Sequence, residues 1–136
     1  MPLVRIELAR GKSQEWIAAL GAAVHAAMVE VLGVPQRDQF RVVTEHERGP
    51  GGLWYSRDYL DVARSDAFVL VEIVLSTGRS TEVKQSFFRR TAELVEEGTG
   101  LRKEDLMIVL VENQRDCWSF GGGVAQYVVL PREQWR

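Results

Sequence analysis

The chain has a single cysteine, Cys117, in 136 residues. One thiol excludes a disulfide framework and fits a reducing compartment. Neither sign of charge is in excess, since 17 basic against 19 acidic residues leave a formal charge of −2. That balance excludes the broad basic footprint of a nucleic-acid binder, so a small anion would have to be held by local arginines. No apolar run approaches the ~20 residues that span a membrane, and no basic stretch followed by a long apolar core opens the chain. Neither a membrane partner nor a secretory leader is expected, and a cytoplasmic location fits. Metal ligands are scarce too: His25 and His46 stand apart with no ligand spacing. Gly121 to Gly123 lacks the lysine and following helix of a phosphate loop. No metal and no cofactor is expected.

Proline is also sparse, at four residues, but one of them directly follows Met1. If the methionine is removed, Pro2 becomes the N-terminal residue and carries a free secondary amine. An ordinary α-amino group titrates near ~8, and burial or neighbouring charge moves that value either way. A rigid amine at the head of a buried strand is suited to proton transfer. The plainer alternative is that Pro2 starts an edge strand, where a missing N–H does no harm.

At this length the chain forms one domain, residues 1–136, with a core of its own. Within it the sequence repeats. Shifted by 67 positions, residues 8–46 lie over 75–113 without a gap, with nine identities in 39 positions. Among them Gly11, Ser13, Gly33 and Asp38 meet Gly78, Ser80, Gly100 and Asp105. Unrelated sequences would share about two or three. Two copies at this spacing make a duplicated supersecondary unit, not a solenoid.

Each copy reads strand, helix, strand. Val4, Ile6 and Leu8 alternate with Leu3, Arg5 and Glu7, the period of a half-buried strand. Ser13 is placed to cap a helix, Ile17, Leu20, Val24, Met28 and Val31 give it one apolar stripe, and Gly33 ends it. Phe40, Val42 and Thr44 alternate along the next strand. The second copy has a strand over Ala67 to Leu75, a helix from the Ser80 cap to Gly100, and a nearly continuous apolar strand over Leu106 to Val111, expected to be buried on both faces. A helical crossover implies parallel pairing within each copy. The expected architecture is α+β: duplicated β-α-β units forming a four-stranded mixed sheet with two helices on one face. The other face is apolar as well, so self-association is expected to cover it.

Repeat one spans about 2–46 and repeat two about 67–113. Residues 47–66 link them, with Trp54, Tyr55, Tyr59 and Leu60 as a small apolar anchor. The tail, 114–136, holds Trp118-Ser119-Phe120, three glycines and a stretch from Ala125 to Leu130 that reads as a last strand able to join a neighbouring subunit's edge.

These residues resemble the tautomerase superfamily, and within it malonate semialdehyde decarboxylase and its relatives. The resemblance rests on Pro2 at the head of a duplicated β-α-β chain, His25-Ala26-Ala27-Met28, Gly33-Val34-Pro35, Val43-Thr44-Glu45-His46, Leu110-Val111-Glu112-Asn113 and Trp118-Ser119-Phe120-Gly121. It implies a homotrimer whose sheets form a central barrel, and a site around Pro2. It further implies a catalytic role for Asp38, and substrate-carboxylate binding by Arg79. Thr77 and Gly78 stand where the family has a first arginine and a proline. Trp118 and Phe120 match residues that wall the site.

On the residues alone, Arg79 precedes a helix N-terminus, where free N–H groups and the dipole already favour an anion. Asp38 is either catalytic, orienting a water or taking a proton, or a turn-former like its counterpart Asp105. Cys117 reads as a buried thiol and His25 as a core or interface histidine. The function expected is an enzyme acting on a small keto or enol carboxylic acid. A neutral Pro2 would act as base in keto–enol tautomerisation. A protonated Pro2, with Asp38 activating water, would favour hydration or decarboxylation of a 3-oxo acid such as malonate semialdehyde. The alternative is a catalytically silent oligomer or binding protein of the same fold, with Met1 retained and Pro2 blocked.

Overall fold

The computed structural model describes residues 2–135; Met1, whose removal bears on Pro2, lies outside them. Four strands and two long helices follow the order β1 (Leu3–Ala9), α1 (Gln14–Leu32), β2 (Phe40–His46), β3 (Val69–Ser76), α2 (Thr81–Thr99), β4 (Leu106–Asn113), with a short α3 (Gln126–Val129) in the tail. The sheet order is β2-β1-β3-β4. Strands β1 and β2 pair in parallel, as do β3 and β4, while β1 and β3 join the two copies antiparallel. The sheet is therefore mixed, as the duplication predicts.

The duplication is visible in the local geometry. A shift of 67 carries α1 onto α2 residue for residue. Ser13 accepts from the Trp16 amide and Ser80 from the Val83 amide, each hydroxyl satisfying one of the first-turn N–H groups that lack an intrahelical partner. Gly33 and Gly100 both close their helices in the left-handed region, at φ 71° and 75°, where a Cβ would be strained.

Both helices cover one face of the sheet. Val4, Ile6 and Leu8 of β1, and Val69, Val71, Ile73 and Leu75 of β3, meet Leu20, Val24 and Met28 of α1 and Phe87 and Val95 of α2 in one core. Each such fully buried side chain contributes about 1.5–3 kcal/mol. By length and apolarity alone α1 would pass for a membrane-crossing helix, against the expectation that no stretch approaches that length. Its buried stripe is spent on the sheet and on α2.

Several expectations are corrected. β1 is an inner strand with partners on both sides, so Pro2 does not start an edge strand. β4 is an edge strand buried on one face only, with Met107, Val109 and Val111 exposed on the other. Residues 126–129 form a helical turn, not a strand: the Val128 and Val129 amides both bond the Ala125 carbonyl. Packing of Tyr127 between Phe120 and Trp135 outweighs the strand preference of its β-branched neighbours. Cys117 is exposed, in a turn between β4 and the aromatic segment. His25 is buried, with Nε2 donating to the Gln36 carbonyl at 3.0 Å.

Candidate active site

Chain topology brings the expected site residues to one end of the sheet. β1 and β2 start there and β3 and β4 finish there, because Leu3 pairs with both Phe40 and Val74, and Ser76 pairs with Asn113. Pro2 is buried, one residue ahead of that row. Asp38 precedes β2 in a turn whose amide bonds the Pro35 carbonyl at 3.0 Å. Thr77 and Arg79 follow β3, and the tail folds back over the same end.

The tail is fixed by polar anchors and ring contacts. Trp118 Nε1 donates to Asn113 Oδ1 at 2.7 Å. The Thr77 amide bonds the Asn113 carbonyl at 2.9 Å, so one residue holds both the turn before α2 and the indole. Phe120 stacks on Trp118 at 5.6 Å, meets Phe40 at 5.8 Å and takes the edge of Tyr127 at 5.0 Å. Gln126 braces the glycine run, accepting from the Phe120 amide and donating to the Gly121 carbonyl, both at 2.9 Å.

These contacts enclose a hollow of about 280 Å³ bounded by Asp38, Phe40, Phe120, Tyr127 and Trp135, with Arg37 at its rim. It is large enough for a small organic acid and mostly aromatic-walled. Of the expected site residues, Asp38 and Phe120 line it directly. Trp118 backs Phe120, while Pro2, Thr77 and Arg79 do not line it. Thr77 is exposed.

Arg79 is half-buried and already engaged. Its Nε and Nη2 reach the Leu32 carbonyl at 3.3 and 3.1 Å, and its Nη1 reaches the Ser76 carbonyl at 3.2 Å. A guanidinium has five N–H donors, so these bonds orient the group while leaving N–H groups for an anion. Burial pushes the Arg79 guanidinium down from its ordinary value; Glu112 opposes this and the Arg115 charge adds to it. Tyr127, missed in the sequence because its segment reads as a strand, has its phenol pushed up by burial, with Arg115 and Arg79 pulling it back. Arg79 and Tyr127 therefore act on each other electrostatically. Among the described residues no cluster of three or more His, Cys, Asp or Glu could hold a metal ion.

A duplicated β-α-β sheet with a buried proline at its head and an aromatic hollow at the same end defines a recognisable class of small-acid enzyme fold. Two family models, each described as tautomerase enzyme, match residues 38–121 and 2–52. The chain is 37% identical to the probable tautomerase YusQ of Bacillus subtilis, over 94% of this chain and 99% of that protein. Malonate semialdehyde decarboxylase superposes with a TM-score of 0.85 at 33% identity, covering 93% of this chain and 95% of the other. A fused 4-OT symmetric trimer shares the fold at a TM-score of 0.74 and 20% identity, over 93% and 98% of the two chains. This chain belongs to the tautomerase family.

Proposed function

We propose that the protein is a tautomerase-superfamily enzyme that moves a proton on a small keto or enol carboxylic acid. Pro2, freed by removal of Met1, is the proton-transfer group; Arg79 holds the carboxylate; Asp38 orients a water or takes a proton; Thr77 adds a hydroxyl beside the anion; Trp118 and Phe120 keep the hollow dry. The observation that carries this reading is the gathering of Pro2, Asp38, Arg79 and the aromatic tail at one sheet end, around a hollow of small-acid size. The malonate semialdehyde decarboxylase structures, which include a proline-to-alanine mutant of the first residue and are interpreted for decarboxylase and hydratase activities, support a role for the proline and the choice of a 3-oxo acid as one substrate class.

The chemistry divides on one proton. A neutral Pro2 abstracts a proton from the carbon next to the acid, and the enol returns it at the neighbouring atom. A protonated Pro2 polarises the carbonyl, and Asp38 then directs water to it or the carboxylate leaves as carbon dioxide. A dry, aromatic-walled site strengthens either effect by weakening solvent screening.

The protein acts as a homotrimer in this reading. The sheet face away from the helices carries Phe40, Leu3, Val74 and Val111 in one row and Val42, Arg5, Glu72 and Val109 in the next. Phe40, Val42, Met107, Val109 and Val111 are 36–48% exposed. A contiguous apolar surface of this kind calls for a cover, and the fold-sharing fused 4-OT is a trimer.

The rival, a silent oligomer with Met1 kept, draws on the Arg79 bonds to carbonyls, which a purely structural arginine would also make. Intact-mass measurement of protein from its native host separates the two. The enzyme reading expects loss of Met1, together with proton exchange on phenylenolpyruvate that vanishes in Pro2→Ala and weakens in Arg79→Ala. Equal exchange in all three proteins, or retention of Met1, removes it.

A further inference from the structure

The tail supplies a cation that the proposed chemistry has not used. Arg115 opens the turn after β4, and its guanidinium lies over the Trp135 ring, 5.4 Å from the centroid. Trp135 packs on Tyr127 at 4.6 Å, and both rings wall the hollow. Arg115 makes no ion pair or hydrogen bond among the described residues. Other surface arginines do: Arg10 is paired with Glu45 and Glu47, Arg57 with Asp66, and Arg90 with Glu30 and Glu93.

We propose that Arg115 is a second anion-binding group of this site, placed by Trp135 at the hollow's rim to select acids with a second negative charge beyond the carboxylate held by Arg79. The assignment rests on the reading of Arg79 given above. It follows from what Thr77 lacks. A hydroxyl carries no charge, so the turn before α2 offers one guanidinium only. The tail brings another from the opposite wall, stacked flat on an indole, where a guanidinium keeps its N–H edge free for a carboxylate. Its charge is felt across the hollow: it works against the charge on Arg79 and favours the ionised form of Tyr127. Arg37 lines the same hollow, so the mouth is positive in a chain whose net charge is −2. Two guanidinium groups on opposite walls suit a short dicarboxylate or a keto acid with a distal anionic group.

Binding of malonate and of acetate, followed by tryptophan fluorescence in the full-length protein, tests this without any turnover. Wild type is expected to prefer malonate. Arg115→Gln keeps a planar group on Trp135 but removes the charge, and should reduce that preference by about fivefold, the scale of one solvent-facing ion pair. Arg115→Lys should restore part of it. If Arg115→Gln weakens both acids equally, or neither, the assignment is overturned. Arg79→Ala distinguishes this failure from that of the underlying site: it should weaken both acids, and if it weakens neither, the carboxylate is not held by Arg79 and the site itself is misread.

Discussion

The guanidinium of Arg79, one residue ahead of the α2 cap, bonds the last carbonyl of α1, Leu32. A helix C-terminus leaves its final carbonyls without partners and carries partial negative charge. The last turn of α1 contains no basic residue of its own, so Arg79 meets that need from the other repeat. One side chain thus joins the two β-α-β units and faces the candidate site. Arg79→Ala should lower stability by about 1–3 kcal/mol through the orphaned Leu32 and Ser76 carbonyls, and thermal melting reads this directly. Binding of a small carboxylate should be lost well below the melting temperature. Arg79→Lys, a single ammonium unable to span both carbonyls, should fall between. A variant that binds acids normally while melting lower would leave the residue only its structural part.

Asp105 shows how the same repeat position is used when it has no catalytic assignment. Only 1% exposed, it accepts from the Ser65 amide at 2.6 Å, the Ser65 hydroxyl at 2.7 Å and Arg102 Nε at 3.1 Å. Burial alone would raise its pKa, but the Ser65 and Arg102 bonds together hold it below the usual carboxylate value. A depressed carboxylate stabilises the fold above its unfolded pKa of ~3.9 and loses that contribution as pH falls through the folded value. Asp105→Ala should therefore cost about 2–4 kcal/mol near neutrality, with the gap from wild type narrowing in acid below pH ~4. Denaturant melts at neutral and acid pH check both the size and the trend. A constant gap would mean that the carboxylate's charge contributes nothing.

What could be read beforehand, and what could not, divides along this line. The 67-residue shift locates both helices because caps and C-terminal glycines are local devices. Pro2, Asp38, Arg79 and the tail reach one sheet end because strand order and direction follow from the duplication. Nothing local tells that Asp105 is spent on the linker, that Arg79 serves α1, or that Cys117 lies exposed. Those are tertiary facts. Tyr127 was hidden for the same reason: Tyr-Val-Val-Leu favours a strand, and only its packing on Phe120 and Trp135 makes the turn of helix.

The uncovered sheet face gives a prediction about assembly. Val109 sits beside Glu72 in the β3–β4 register and is 36% exposed. Val109→Glu would set two carboxylates side by side on the surface proposed to close the trimer, where desolvating them is costly. Light scattering should give three times the 15.4 kDa chain mass for the native protein and one chain for the variant. Far-ultraviolet dichroism should be retained, because the helix-side core is untouched. A trimeric variant would show that this face is not the interface.

Tyr127 gives a test of the hollow at high pH. Burial favours its neutral phenol and raises its pKa above 10, while the Arg115 and Arg79 charges act in the opposite sense. The phenolate absorbance of wild type, after subtraction of the Tyr127→Phe curve, should rise at a pH above that of free tyrosine. A phenol whose folded pKa is raised stabilises the protein below its unfolded value near ~10 and loses this as pH climbs through the folded one, so Tyr127→Phe should be the more alkali-resistant protein. Arg115→Gln and Arg79→Ala each remove a cation that favours phenolate, and each should move the transition higher. A wild-type transition at or below the ordinary value would mean that the tail does not shield the ring. An unchanged transition in Arg79→Ala would place that guanidinium out of electrical contact with the hollow, and with it the carboxylate-binding role proposed for Arg79.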